Sequence, residues 1–320
     1  MHPLIARIHP AFRTALFAWL LSRGALWITC ASASADLGTG APLPGLVATA
    51  LEHLTAMVPP GPISALIMLM PWIAVECLML AAGVAVYRFA RTTELPQIAE
   101  RACWIWFFNP ILALSILDWG TQAAAAAGAL AIAGFITYRP GRATIAAFIA
   151  VGCRLEFILL WPAIAIAGWR HYRRGKDPAY MRWSAALIVP ISFITWIGLT
   201  WHLAGTAQTS LRALHGDAAW RTAETLAPSF PGEVLLLTGV AGALLLAICY
   251  ARRFPLWYLA LALPALLWPL VQIPIHFAAI TVAWSIPTFV HLACATDDRA
   301  VERPLLVGLV IGFLFASPLL

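Results

Sequence analysis

The sequence predicts an all-α fold: a polytopic bundle of about ten to eleven membrane helices, built by one integral membrane domain over residues 1–320. Three observations predict it. Apolar residues fill 62% of the positions and charged ones only 11%, well outside the balance of soluble globular domains. Several stretches of about 18 to 25 residues carry almost no charge, the length that crosses a hydrocarbon core of about 30 Å. Arg and Lys gather in short clusters between those stretches, as the positive-inside rule requires. The net charge of +6 therefore reads as membrane anchoring, and no basic stripe for nucleic acid is present.

The first span covers 12–33. Arg7 and Arg13, the apolar run Ala15–Leu21 and the Ala31-Ser32-Ala33 triplet are compatible with a secretory signal. Arg23 interrupts that run, however, and Gly24–Cys30 extends it to spanning length. An uncleaved first helix with a cytoplasmic N-terminus is the expectation. The connection 34–60 holds Asp36, Glu52 and His53 but no Lys or Arg, which puts it outside. Span 62–87 returns to an inside loop marked by Arg88, Arg91 and Arg101. Spans 102–117 and 119–137 then turn tightly on the outer side at Asp118 and come back to Arg139 and Arg142. Ala123–Ala127 makes a helix face of small residues, which lets membrane helices approach closely.

The stretch 143–169 is long enough for one crossing, yet both ends are basic: Arg142 before it, and Arg170, Arg173, Arg174 and Lys176 after it. A broken helical hairpin near 143–168, with both ends inside, satisfies the charge rule. The break falls at Gly152-Cys153-Arg154-Leu155-Glu156. Irregular backbone at membrane depth survives only when buried in protein or lining a wet cavity, so Arg154 and Glu156 are expected at the tip, facing a cavity. Span 183–204 follows, then an outer loop Gly205–Gly232 with Arg212 and Arg221. Spans 233–250, 255–272, 277–294 and 304–319 complete the chain. Arg252, Arg253 and the segment from Asp297 to Arg303 lie inside, and the turn from Gln272 to His276 lies outside.

The polar residues that are not inside anchors are Asp36, Glu52, His53, Asp118, Gln122, Arg154, Glu156, Gln272 and His276. All of them fall on the outer half. Arg23 lies mid-span, where an ionisable group is costly unless paired; Glu76, also mid-span, is a suitable partner. The six cysteines stand singly, without CxxC or zinc spacing. No phosphate-binding glycine loop, nucleophile triad or nucleic-acid patch occurs.

Several segments resemble the PIG-V-type mannosyltransferases, members of the GT-C superfamily of polyprenyl-phosphate-sugar glycosyltransferases. The first helix contains Ser22-Arg23. Phe107-Phe108-Asn109-Pro110 leads to a short outer turn and an alanine-rich helix. Arg139-Pro140-Gly141-Arg142 precedes Cys153-Arg154, with Pro162 eight residues later. Trp284-Ser285-Ile286-Pro287-Thr288-Phe289 is similar to the last signature segment. The chain departs from the family pattern in its first outer loop, where Ala35-Asp36-Leu37-Gly38 lacks the Trp of a Trp-Asp motif. It departs again at Asp118-Trp119-Gly120-Thr121-Gln122, at Cys153-Arg154-Leu155, and at His276, which stands about where an Arg is expected.

The resemblance implies a GT-C-like membrane protein that moves a mannose-like sugar from a polyprenyl-phosphate donor to a lipid or glycan acceptor. The reaction would take place at the outer face of a bacterial-type plasma membrane, among membrane lipids. Asp36 would be the base that deprotonates the acceptor; the alternative for it is a solvated loop carboxylate. Arg154 would hold the lipid phosphate bidentately, or else pair internally with Glu156 or another acid and fix the hairpin. Asp118 and Gln122 would position donor or acceptor, and Glu156 and His276 would join Arg154 in binding substrate or lipid phosphate. Asp118 equally suits a helix cap. No cofactor is specified, and a divalent metal at Asp118 stays open. Two other classes compete: a non-catalytic GT-C-like scaffold or partner subunit, suggested by the missing Trp-Asp motif, and a transporter, suggested by the broken helix.

Overall fold

The computed structural model describes residues 9–29, 42–93, 96–108, 119–136, 140–161, 164–166, 169 and 179–204. Asp36, Asp118, His276, the side chain of Glu156 and the four spans beyond 232 lie outside the described residues. Within them every regular element is helical and no strand occurs: α1 (Pro10–Thr29), α2 (Pro42–Ala56), α3 (Pro62–Thr93), α4 (Pro96–Phe107), α5 (Trp119–Ile136), α6 (Pro140–Cys153), a 3-10 segment (Leu155–Leu160) and α7 (Ala179–Ala204). Proline opens five of these helices, where its fixed φ suits the first turn and its missing N–H costs nothing.

α3 carries the membrane character. Its 32 residues extend about 48 Å at 1.5 Å per residue. The stretch Pro62–Thr92 has mean hydropathy 2.1 over its most apolar window, only 11% of which is buried. It is one helix long and apolar enough to cross a bilayer, and Ile63, Leu66, Leu69, Met70 and Ile73 turn apolar side chains outward. α6 and the Ala186–Leu199 part of α7 are shorter apolar helices.

Small residues set the packing. On α1, Ala11, Ala15 and Ala18 are fully buried along one face, and α3 lies antiparallel against it. Arg23 meets Glu76, and, eight residues back along α1, Ala15 meets Gly83. α4 closes this pair: the Phe107 ring fills the notch that a side chain at Gly83 would occupy, and the Cys103 thiol donates to the Gly83 carbonyl at 3.6 Å. α5 and α6 form a second antiparallel pair. Ala123–Ala127 are fully buried, and a β-carbon at Gly134 would lie 2.8 Å from that of Ala143. α4 ends at Phe107, and the remainder of the expected span, 109–117, lies outside the described residues.

The connection 34–60, read as a loop, contains α2. Leu43, Leu46, Val47 and Leu51 recur at helical spacing and pack inward, while Glu52 and His53 stay exposed.

The break after α6 lies where it was expected. Arg154 leaves the helix in extended backbone (φ −151°, ψ 111°) and the 3-10 segment begins at the next residue. Before the break, Phe148 accepts the Trp196 indole N–H of α7 at 2.9 Å. After it, the Trp161 indole N–H reaches the carbonyl of Ala186. These two contacts seat the chain on α7 before and after the break; the hairpin's return limb beyond Trp161 lies largely outside the described residues.

Candidate functional site

Three helices and the break after α6 bring polar groups together near the start of α5. On α1, Arg23 is held with its side chain only 4% exposed, and its Nε lies 3.0 Å from Glu76 Oε2 of α3, itself 13% exposed. The Trp19 indole, one turn before Arg23, donates to the same carboxylate oxygen at 2.8 Å. A terminal nitrogen of Arg23 donates to Gln122 Oε1 at the beginning of α5. The expectation that Arg23 is paired with Glu76 is met.

Beside it stands Arg154. Its Nε and one terminal nitrogen donate to the hydroxyl of Thr121 at 3.2 and 2.6 Å. Thr121 and Gln122 are adjacent residues of α5, so one turn of helix links the two guanidinium groups. The extended backbone at Arg154 explains its reach: leaving helical geometry after Cys153 swings the side chain across to α5 instead of stacking it on its own helix. The Arg154 N–H still closes the last turn of α6 on Ala150 O at 2.9 Å, and its carbonyl accepts Phe157 N–H at 3.1 Å. The break therefore leaves these two backbone groups satisfied.

The wall around these groups is apolar. Trp119 at the first position of α5 is buried and donates to the carbonyl of Pro71 at 2.8 Å. Phe157, Cys153 and Ala123–Ala126 are fully buried. In so dry a setting a broken ion pair costs far more than at a surface. Glu76 adds an unusual detail: its Oε1 is buried, and among the described residues no donor reaches it.

Of the residues expected at a site, Arg154 and Gln122 are thus brought to one place, through Thr121. Gln122 is 1% exposed and commits its carbonyl to Arg23. Asp36, Asp118, His276 and the Glu156 carboxylate fall outside the described residues. Thr121 and Trp19 were missed. A threonine in an alanine-rich run and a tryptophan in an apolar helix have no sequence signal of their own, and only the neighbouring Gln122 and Arg23 marked the places. Among the described residues no three His, Cys, Asp or Glu side chains lie together as metal ligands. Comparison with protein-family models, curated proteins and solved structures finds no match.

Proposed function

We propose that the chain is a multi-pass plasma-membrane protein of GT-C type that transfers a mannose-like sugar from a polyprenyl-phosphate donor to a lipid or glycan acceptor at the extracytoplasmic face. The observation that carries this reading is Arg154, a guanidinium placed by a helix break inside an apolar run and braced by Thr121. A planar, permanently charged fork in a low-dielectric wall suits a lipid phosphate, to which it can make two parallel hydrogen bonds. Asp36 takes the acceptor proton, the acceptor oxygen attacks the sugar carbon with inversion, and the polyprenyl phosphate leaves against Arg154. Asp118, Glu156 and His276 belong to the same outer face. The Arg23–Glu76–Gln122 network fixes α1, α3 and α5 so that Thr121 is held in place; in that role Gln122 positions rather than touches substrate.

A second reading has an observation of its own. The Arg23 charge is matched inside the protein by Glu76 and Gln122, as a structural clamp would be, which favours a non-catalytic scaffold of the same fold. Transfer from labelled polyprenyl-phosphate mannose, measured in membranes containing the wild type or Asp36→Asn, separates the two. Transfer that is lost in Asp36→Asn at normal protein level supports the enzyme. Absence of transfer by either protein, over several polyprenyl-phosphate sugars, supports the scaffold.

A further inference from the structure

At the opposite end of the same helices lies a cavity of about 590 Å³, lined by His9 and Arg13 of the α1 start, Tyr87, Arg88 and Arg91 of the α3 end, and Glu100 of α4. From Arg23 to Arg13 is ten residues of α1 and from Glu76 to Arg88 twelve of α3, so the cavity stands about 15 to 18 Å along the helix axes from the Arg154 cluster. The two places share no residue. We propose that this cavity is a binding site for the phosphate headgroup of an anionic membrane lipid.

Three independent features point to that ligand. Three guanidinium groups from two helices converge on one cavity while a single carboxylate, Glu100, opposes them, which leaves a net positive lining. Guanidinium groups match phosphate oxygens in geometry as well as charge. The second feature is position. The cavity sits where the membrane-length helix α3 reaches its basic end, the depth at which a phospholipid carries its phosphate, and basic pockets between helices at that level recognise lipid headgroups. The third is the surface leading away from it. On α1, Phe12, Leu16 and Leu20 recur every four residues, and Phe12 and Leu20 are 40% and 50% exposed, an apolar stripe along which acyl chains can lie. His9 is part of the scaffold here: its Nδ1 accepts the Ala11 N–H at 3.2 Å and its carbonyl accepts the N–H groups of Phe12 and Arg13, so it caps α1 and sets Arg13 in place.

Native mass spectrometry of the full chain in neutral detergent, titrated with phosphatidylglycerol or phosphatidylcholine, tests the proposal. Phosphatidylglycerol is expected to bind selectively, and R88Q/R91Q to weaken it about tenfold or more, as loss of charge-assisted hydrogen bonds predicts. Glu100→Gln removes the opposing charge and is expected to tighten binding severalfold, which keeps the test alive should the double variant fold poorly. Arg142, exposed on α6 and outside the cavity, supplies the control, and Arg142→Gln is expected to leave binding unchanged. Equal binding of both lipids, or equal weakening by Arg142→Gln and R88Q/R91Q, would overturn the site. Competition by glycerol phosphate at concentrations matching the lipid would overturn the lipid as its occupant.

Discussion

At the scale of single residues, the decisive economy is charge in a dry place. Arg23 and Glu76 are separated by 53 positions, and their 3.0 Å contact ties α1 to α3. Removing one partner leaves the other buried and uncompensated, which costs about 3–5 kcal/mol. Glu76→Ala is accordingly expected to lower unfolding stability by that amount in a denaturant titration monitored by tryptophan fluorescence. Glu76→Gln retains an acceptor for Trp19 and Arg23 and is expected to cost clearly less. Gly152 shows the opposite constraint. It is small because the Trp196 indole fills the volume its side chain would need, so Gly152→Val is expected to displace α7 and destabilise the bundle by about 1–3 kcal/mol. The need of mid-span Arg23 for a partner was legible in the sequence, since Glu76 is equally stranded. The Trp196 notch was not, because a contact between residues 152 and 196 leaves no periodicity to read.

At the scale of elements, proline and tryptophan work as a pair. Pro190 inside α7 has no N–H, so the carbonyl of Ala186, four residues earlier, loses its helical donor. The Trp161 indole N–H takes that vacancy from across the interface. Trp161→Phe is expected to cost about 1–2 kcal/mol in the native background and almost nothing once Pro190→Ala restores the backbone donor. A double-mutant cycle reads that coupling directly; equal costs in both backgrounds would show that the indole contributes only packing. The α5–α6 pair depends on close approach at Gly134 and Ala143, and Gly134→Leu is expected to separate them and to lower protein yield and melting temperature together. Among the described residues helix positions were largely legible, because length, hydropathy and proline punctuation set them; α2 was missed within the connection 34–60. The break at Arg154 was legible, because two charges interrupt the apolar pattern there.

At the scale of the whole molecule, the described helices carry two separate polar groups along α1 and α3. The Arg154–Thr121 and Arg23–Glu76–Gln122 groups stand near the middle of α3, the His9–Arg13–Arg88–Arg91 cavity at its C-terminal end, and the exposed apolar side chains Ile63 to Ile73 lie on the other side of Glu76. On the proposed topology the first group would lie toward the outer side and the second toward the inner side. In a background lacking the six native cysteines, Asp36→Cys is expected to react with an impermeant thiol reagent in intact cells, and Arg142→Cys only after permeabilisation. Equal labelling of both would reject that orientation. The proximity of Gln122 and Arg154 was legible in the sequence, although Thr121 beside them was not, since it acts through position and not through type.

The most direct measurement is the rate of sugar transfer from labelled polyprenyl-phosphate mannose by membranes holding equal amounts of wild type or Arg154→Gln. If Arg154 holds the donor phosphate, the substitution lowers transfer by about ten- to a hundredfold, and Arg154→Lys recovers part of it through its charge. Transfer undiminished in Arg154→Gln, at equal protein level, would contradict the assignment of Arg154 as the phosphate-binding group.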